Sequence, residues 1–175
     1  MSGEPLHHAV APATRRVMQA NRGRDTSPEL AVRSRLHALG LRYRVATPLP
    51  IDRRRRADVY FSRVGLYVFI DGCYWHGCPD HYIEPKTNVD FWRAKIEGNR
   101  LRDVDTTVRL QALGYEVLRF WEHSDPEQIA REIADRYISA RSQLLQPVDT
   151  SRDLGYTNGA LEGKRVRQTK QSGPM

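Results

Sequence analysis

The chain is short of thiols, of lysine and of long apolar stretches, and each shortage removes a class of protein. Its only two cysteines, Cys73 and Cys78, stand five positions apart. A disulfide between them would close too small a loop to add much stability. The disulfide-dense secreted scaffolds are therefore excluded, and metal ligation is the better use of the pair. No apolar run approaches the ~18 residues of a membrane span, and the start, "MSGEPLHHAVAPATRR", lacks the basic-then-apolar order of a signal peptide. A soluble, cytoplasmic protein is expected. Only four of the 28 basic residues are lysine, the rest being arginine. The planar guanidinium fork suits phosphate and base edges better than the point charge of lysine does.

Against 21 acidic residues the basic ones leave a formal net charge of +7 and a pI near 9.7. That balance favours a nucleic-acid partner over a merely solvated basic surface. With 39% apolar residues, 175 positions suffice for one domain and are too few for two comfortable ones. Residues 1–13 and 145–175 read as disordered tails, the second one basic, around a domain at 14–144.

Within that domain "TSPELAVRSRLHALG" predicts a helix over 28–39, with Ser27 as cap, Pro28 in the first turn, Leu30, Leu36 and Leu39 among its apolar positions, and Gly40 as stop. "LRYRVA" reads as a short strand, "PLPIDRRRR" as a basic connection, and "ADVYF" and "LYVFID" as two strands around "SRVG". A second helix is expected from about Val89 to Leu113, with Gly98 as a break point and Gly114 as stop. "YEVLRFWE" is a further strand, and Asp125-Pro126 opens a last helix. Helix, three strands, helix, strand, helix makes an α/β fold with a small mixed sheet.

The chemistry gathers in "VFIDGCYWHGCPDHY", Val68 to Tyr82, and one strand upstream. Asp58 sits in an apolar strand, where a carboxylate needs a partner or a metal. A turn centred on Arg63 and Val64 pairs residues whose numbers sum to about 127, which sets Asp58 beside Phe69 and within a register step of Ile70 and Asp71. Carboxylate and carbonyl oxygens converging near one sheet edge suit magnesium; the plainer alternative is an ion pair between Asp58 and the arginines before it. Cys73-x4-Cys78-x2-His81, completed by His123 after the "YEVLRFW" strand, predicts a closed tetrahedral zinc site of the structural kind. Buried free cysteines with surface histidines are the alternative. His76, left between the cysteines, is then free for proton transfer near neutral pH. A zinc deaminase would need a His-x-Glu with a Cys-x-x-Cys pair, and the chain has neither.

"RGRDTSPEL", "ADVYF", "VFIDGCYWHGC", "KTNVDFW", "KIEGNRLRD" and "LGYEVLRFWEH", in that order, resemble the very short patch repair endonucleases from roughly Arg16 to Arg136. The resemblance implies a restriction-endonuclease-like fold, of PD-(D/E)xK type, with a structural zinc loop. It also implies magnesium-dependent nicking of double-stranded DNA, 5′ to the thymine of a T:G mismatch left by deamination of 5-methylcytosine. By position it makes Asp58 the magnesium-binding aspartate, with the carbonyl of Ile70 as a further ligand, Glu29 the acidic residue of the first long helix, and His76 the catalytic histidine. Cys73 falls on a zinc ligand, Tyr74 and Trp75 on the aromatic wedge, Trp92 on another base-contacting ring, and Met18 on the side chain entering from the minor groove. Arg53, Arg54, Arg55 and Arg56 would grip the backbone.

The resemblance also implies a monomer in the bacterial cytoplasm, associated with the nucleoid, with mismatch-repair proteins as candidate partners and no membrane. Three positions depart from the family's pattern. Asp71 stands in place of a second catalytic histidine, so either His76 works alone or Asp71 adds a carboxylate to the magnesium site. His123 replaces a cysteine, while Cys78 and His81 replace a closely spaced histidine and cysteine. Ala57 replaces a proline. Two rivals stand beside this reading: a related restriction or defence nuclease acting on modified DNA, and a zinc-containing DNA-binding protein without hydrolysis, which would have no use for Asp58 near Asp71.

Overall fold

Between Ala57 and Asp71 the chain doubles back at Gly65, whose φ of +66° is costly for any residue with a side chain. The two arms pair antiparallel with Val59 opposite Val68, Tyr60 opposite Tyr67 and Phe61 opposite Leu66, the register expected from the turn. A computed structural model describes residues 24–146. Met18, the 1–13 segment and the 145–175 segment beyond Gln146 lie outside the described residues. The elements are α1 (Ser27–Ala38), β1 (Arg44–Leu49), β2 (Asp52–Phe61), β3 (Leu66–Asp71), α2 (Val89–Ala112), β4 (Glu116–Trp121) and α3 (Pro126–Leu145).

The sheet runs in the order β1-β2-β3-β4, with β4 parallel to β3 and the other pairs antiparallel. A parallel pair needs a long crossover, which α2 supplies. Three expectations are corrected. Arg53 to Arg56 belong to β2 and not to a connection, because the strand already pairs with β1 on either side, Asp52 opposite Leu49 and Arg56 opposite Pro48. Gly98 does not break α2: no atom crowds it, and a glycine costs a helix only about 1 kcal/mol relative to alanine. The cap of α1 is Thr26, not Ser27. Glu29 reaches back from the third helical position to accept the Asp25 N–H at 3.0 Å and the Thr26 hydroxyl at 2.9 Å, which ties down the chain just before the helix.

Alternation along β3 divides the core. Leu66 and Val68 join Val32 and Leu36 of α1, Val59 and Phe61 of β2, and Ile129 and Ile133 of α3. Tyr67 and Phe69 join Leu49 and, from α2, Leu110 on the other side. Each fully buried side chain of this size contributes roughly 1.5–3 kcal/mol. Next in the odd series comes Asp71, opposite Trp121 at the end of the parallel pair. The chain segments that follow β3 and β4 therefore leave from the same end of the sheet, and the polar chemistry collects there.

Candidate active site and metal centre

The segment after β3 has no helix or strand between Gly72 and Asn88, only turns. Its buried side chains are the two cysteines. Because β4 lies parallel to β3, His123 arrives beside it. Cys73 Sγ stands 3.0 Å from His123 Nδ1, and Cys78 Sγ stands 3.7 Å from Nδ1 of both His81 and His123. All four donor atoms lie within 4.8 Å of one another. The 3.0 and 3.7 Å separations are close to the ~3.3–3.8 Å edges of a tetrahedron whose centre is ~2.0–2.3 Å from sulfur and nitrogen, and two thiols with two imidazoles are the donor set of structural zinc. Burial first, and then the Cys78 thiol alongside, raise the Cys73 thiol above its ordinary range; a divalent cation would reverse that balance. Asp80 Oδ2 lies 4.0 Å from His123 Nε2, where it can orient the imidazole.

Asp58 is half-buried and accepts the Ile70 N–H at 2.7 Å through Oδ2. Its Oδ1 has no protein donor among the described residues. Desolvation pushes this carboxyl up to about 7; the Ile70 hydrogen bond opposes the rise, and the charges of Glu29 and Asp71 add to it. The protonated form is the one the fold favours, so the metal-free protein loses stability from this group as pH climbs from the ordinary carboxylate range to about 7. A hard cation at Oδ1 removes the penalty, and the residues present fit one.

Asp71 has a different partner from the one expected. Arg119 grips both its oxygens, Nε to Oδ2 at 2.8 Å and Nη2 to Oδ1 at 2.5 Å, and the same Nη2 lies 2.9 Å from Asp103 Oδ1. Asp71 therefore stands in a cluster with His76 and Asp103 whose three donor atoms lie close enough to share a cation, while Arg119 occupies both of its oxygens; the meeting point is not a sheet edge, since β2 and β3 are both interior strands. His76 Nδ1 is 2.5 Å from Asp103 Oδ2 and 3.7 Å from Asp71 Oδ1, which leaves Nε2 without a protein partner among the described residues. Burial lowers the basicity of His76, but the Asp103 hydrogen bond and the field of Asp71 outweigh it and hold the imidazole above the usual histidine range.

These groups line one cleft of about 670 Å³ with Glu29, Trp75, Arg54, Arg55 and Arg56. Glu29 is buried, its oxygens taken by the cap and by Arg33 at 3.1 Å. Arg55 is committed to Asp105 and Thr106 of α2, whereas Arg54 and Arg56 are exposed; Arg53 is exposed and outside the lining. Tyr74 and Trp75 are half-buried, and Asn99 donates to the Trp75 carbonyl at 2.7 Å. Trp92 is only 6% exposed, its ring covered by Tyr74 at 5.4 Å and Trp75 at 6.0 Å between centroids. The ring expected to contact a base is here packed under the loop aromatics and supports them. Asp103 and Arg119 were not anticipated from the sequence.

A cation site at a carboxyl, an imidazole poised to take a proton, and guanidinium groups around both can hydrolyse a phosphodiester. Residues 8–81 match the family described as DNA mismatch endonuclease Vsr. Similar proteins include the type II nicking enzyme V.NaeI of Lentzea aerocolonigenes, 41% identical over 122 residues that cover 69% of this chain and 74% of the relative. V.NmeDIP of Neisseria meningitidis serogroup C is 40% identical over 62% of this chain and 73% of its own length. The DNA mismatch endonuclease Vsr of Escherichia coli (strain K12) is 37% identical over 60% and 66%.

Proposed function

Because this chain belongs to the Vsr family of DNA mismatch endonucleases, and is a DNA endonuclease, we propose that it nicks one strand of double-stranded DNA on the 5′ side of the thymine in a T:G mismatch left by deamination of 5-methylcytosine. The observation that carries this reading is the desolvated Asp58 carboxyl, facing an arginine-lined cleft that it shares with the His76–Asp103 pair. The mixed sheet with its acid on β2 supports a restriction-endonuclease-like fold for the described part, 24–144, of the proposed 14–144 domain.

Asp58 and the Ile70 carbonyl would hold magnesium, which supplies Lewis-acid polarisation of the diester and stabilises charge on the leaving oxygen. Asp103 fixes the His76 ring through Nδ1, so that Nε2 takes the proton of the attacking water. Water oxygen bonds to phosphorus, the bond to the 3′ oxygen breaks, that oxygen takes a proton from solvent, and the products are a 3′-hydroxyl and a 5′-phosphate. Glu29, buried at the cleft with its oxygens held by the helix start and by Arg33, adds negative field at Asp58, where a cation would be drawn. Tyr74 and Trp75 wedge into the duplex. Unstacking costs a few kcal/mol per step, and a mismatch has already lowered that cost. Arg54 and Arg56 meet the backbone, a contribution that weakens with salt. Cys73, Cys78, His81 and His123 would hold zinc, which would fix the loop that carries the wedge and His76.

Specificity is tested by nicking rates on duplexes that differ at one pair. The T:G duplex is expected to be cut ~100-fold or more faster than the T:A duplex or the paired 5-methylcytosine duplex, about 2.7 kcal/mol of barrier. Equal rates, or preference for the methylated duplex, would favour a nuclease of modified DNA instead. The role of His76 is tested by pH. At saturating magnesium the rate should rise with pH as the imidazole loses its proton. Asp103→Asn removes the interaction that holds that proton, so the acid limb should move to lower pH and the maximal rate should fall. An unmoved limb would take His76 out of the base's role.

A further inference from the structure

Arg119 is a cation fixed between acids in the proposed nicking cleft. It stands on β4 level with Phe69, its guanidinium lying over that ring with Cζ 4.8 Å from the centroid. Nε and Nη2 are spent on Asp71 and Asp103. The two Nη1 donors have no partner among the described residues, and the side chain, 21% exposed, lines the same cleft as Asp58, Ile70 and Glu29. Stability alone is a weak reason for such a triad, since buried ion clusters are often replaced by apolar groups at no loss. What it does provide is a permanent charge that cannot reorganise.

We propose that Arg119 is a further catalytic residue: its Nη1 edge receives a non-bridging oxygen of the scissile phosphodiester, and Asp71 is the positioning residue that holds it there. The inference rests on reading the Asp58 cleft as the nicking centre. As the water oxygen adds to phosphorus, charge grows on the non-bridging oxygens, so a fixed donor binds the transition state better than the bound substrate. Arginine meets that need at every working pH. Asp71, with both oxygens on Arg119, acts through the guanidinium and not through magnesium.

The test is single-turnover nicking by Arg119→Gln, Asp71→Asn and the double variant. It is run on whichever duplex the wild type cuts fastest, because every duplex presents the same diester; a failed T:G preference therefore leaves this test standing. Arg119→Gln should lose ~100-fold or more in rate while DNA affinity changes less than ~3-fold, the pattern of a contact made mainly in the transition state. The double variant should be as slow as Arg119→Gln. Added guanidinium chloride, against sodium chloride at equal ionic strength, should restore part of the rate to Arg119→Ala and none to Asp58→Ala. If Arg119→Gln does not fold, Arg119→Lys keeps a charge against Asp71 but loses the free edge, and should still be slowed by about tenfold or more. A double variant that recovers to near the wild-type rate would show that Arg119 only neutralises Asp71, and would overturn the proposal. So would an Arg119→Gln or Arg119→Lys protein that nicks like the wild type.

Discussion

Asp58→Ala is expected to lower nicking by about a thousandfold or more, roughly 4 kcal/mol of barrier, and to leave DNA binding unchanged or tighter. The carboxyl makes one protein hydrogen bond, from Ile70, and its environment raises its pKa to about 7. A group held at that cost is a poor structural element and a good cation site. Removing it takes a negative charge from a cleft that receives phosphates, so binding should not suffer. Melting temperature should hold or rise in metal-free buffer near neutral pH, where the buried carboxylate opposes folding. Filter binding and single-turnover nicking on one duplex separate the two effects. Nicking within about tenfold of wild type would remove Asp58 from the metal site.

The second large effect is expected from Cys78→Ala. The thiol is fully buried, in a segment that has no helix or strand and whose other buried side chain is the second cysteine. Structural zinc at a cage of this kind contributes an apparent ~10–16 kcal/mol to folding. No apolar packing in the segment can replace that. The wild type should retain one zinc per chain through purification, and the variant none. The variant should aggregate or melt far below the wild type, and a strong chelator should reproduce the effect slowly. A zinc-free Cys78→Ala protein that is soluble and fully active would refute the structural assignment.

The parts of this fold that local rules govern were legible. Turn residues and alternation set the hairpin register, and hence the place of Asp58 beside Ile70. Cysteine spacing marks Cys73, Cys78 and His81 as donors of one cage, and the strand before His123 marks the fourth. Arg53 to Arg56 were misread because charge suggests a connection, whereas β pairing is made by the backbone and tolerates any exposed side chain. Trp92 was assigned to DNA on the resemblance, yet it opens the buried stripe of α2, which runs Trp92, Ile96, Asn99, Thr106, Leu110.

That stripe also holds the signal that was missed. Asp103 falls on the same helical face at i+4 from Asn99, so three consecutive positions of an otherwise apolar face are polar, the mark of a site and not of a core. Arg119 offered a similar sign, a charge inside the apolar run "VLRFW". Like Asp58, it is a charge within an apolar strand and needs a partner there. Only the packing of α2 and β4 against the end of β3 shows that these residues meet.

The central claim, a magnesium-dependent nick in the strand carrying the mismatched thymine, is tested most directly by mapping products on a duplex labelled separately on each strand. The account predicts one cut, in the thymine strand only, immediately 5′ to the mismatched base, with a 5′-phosphate on the downstream fragment and no product when magnesium is chelated. Cuts in both strands, cuts of equal yield in a fully paired duplex, or cutting that persists without a divalent cation would contradict it.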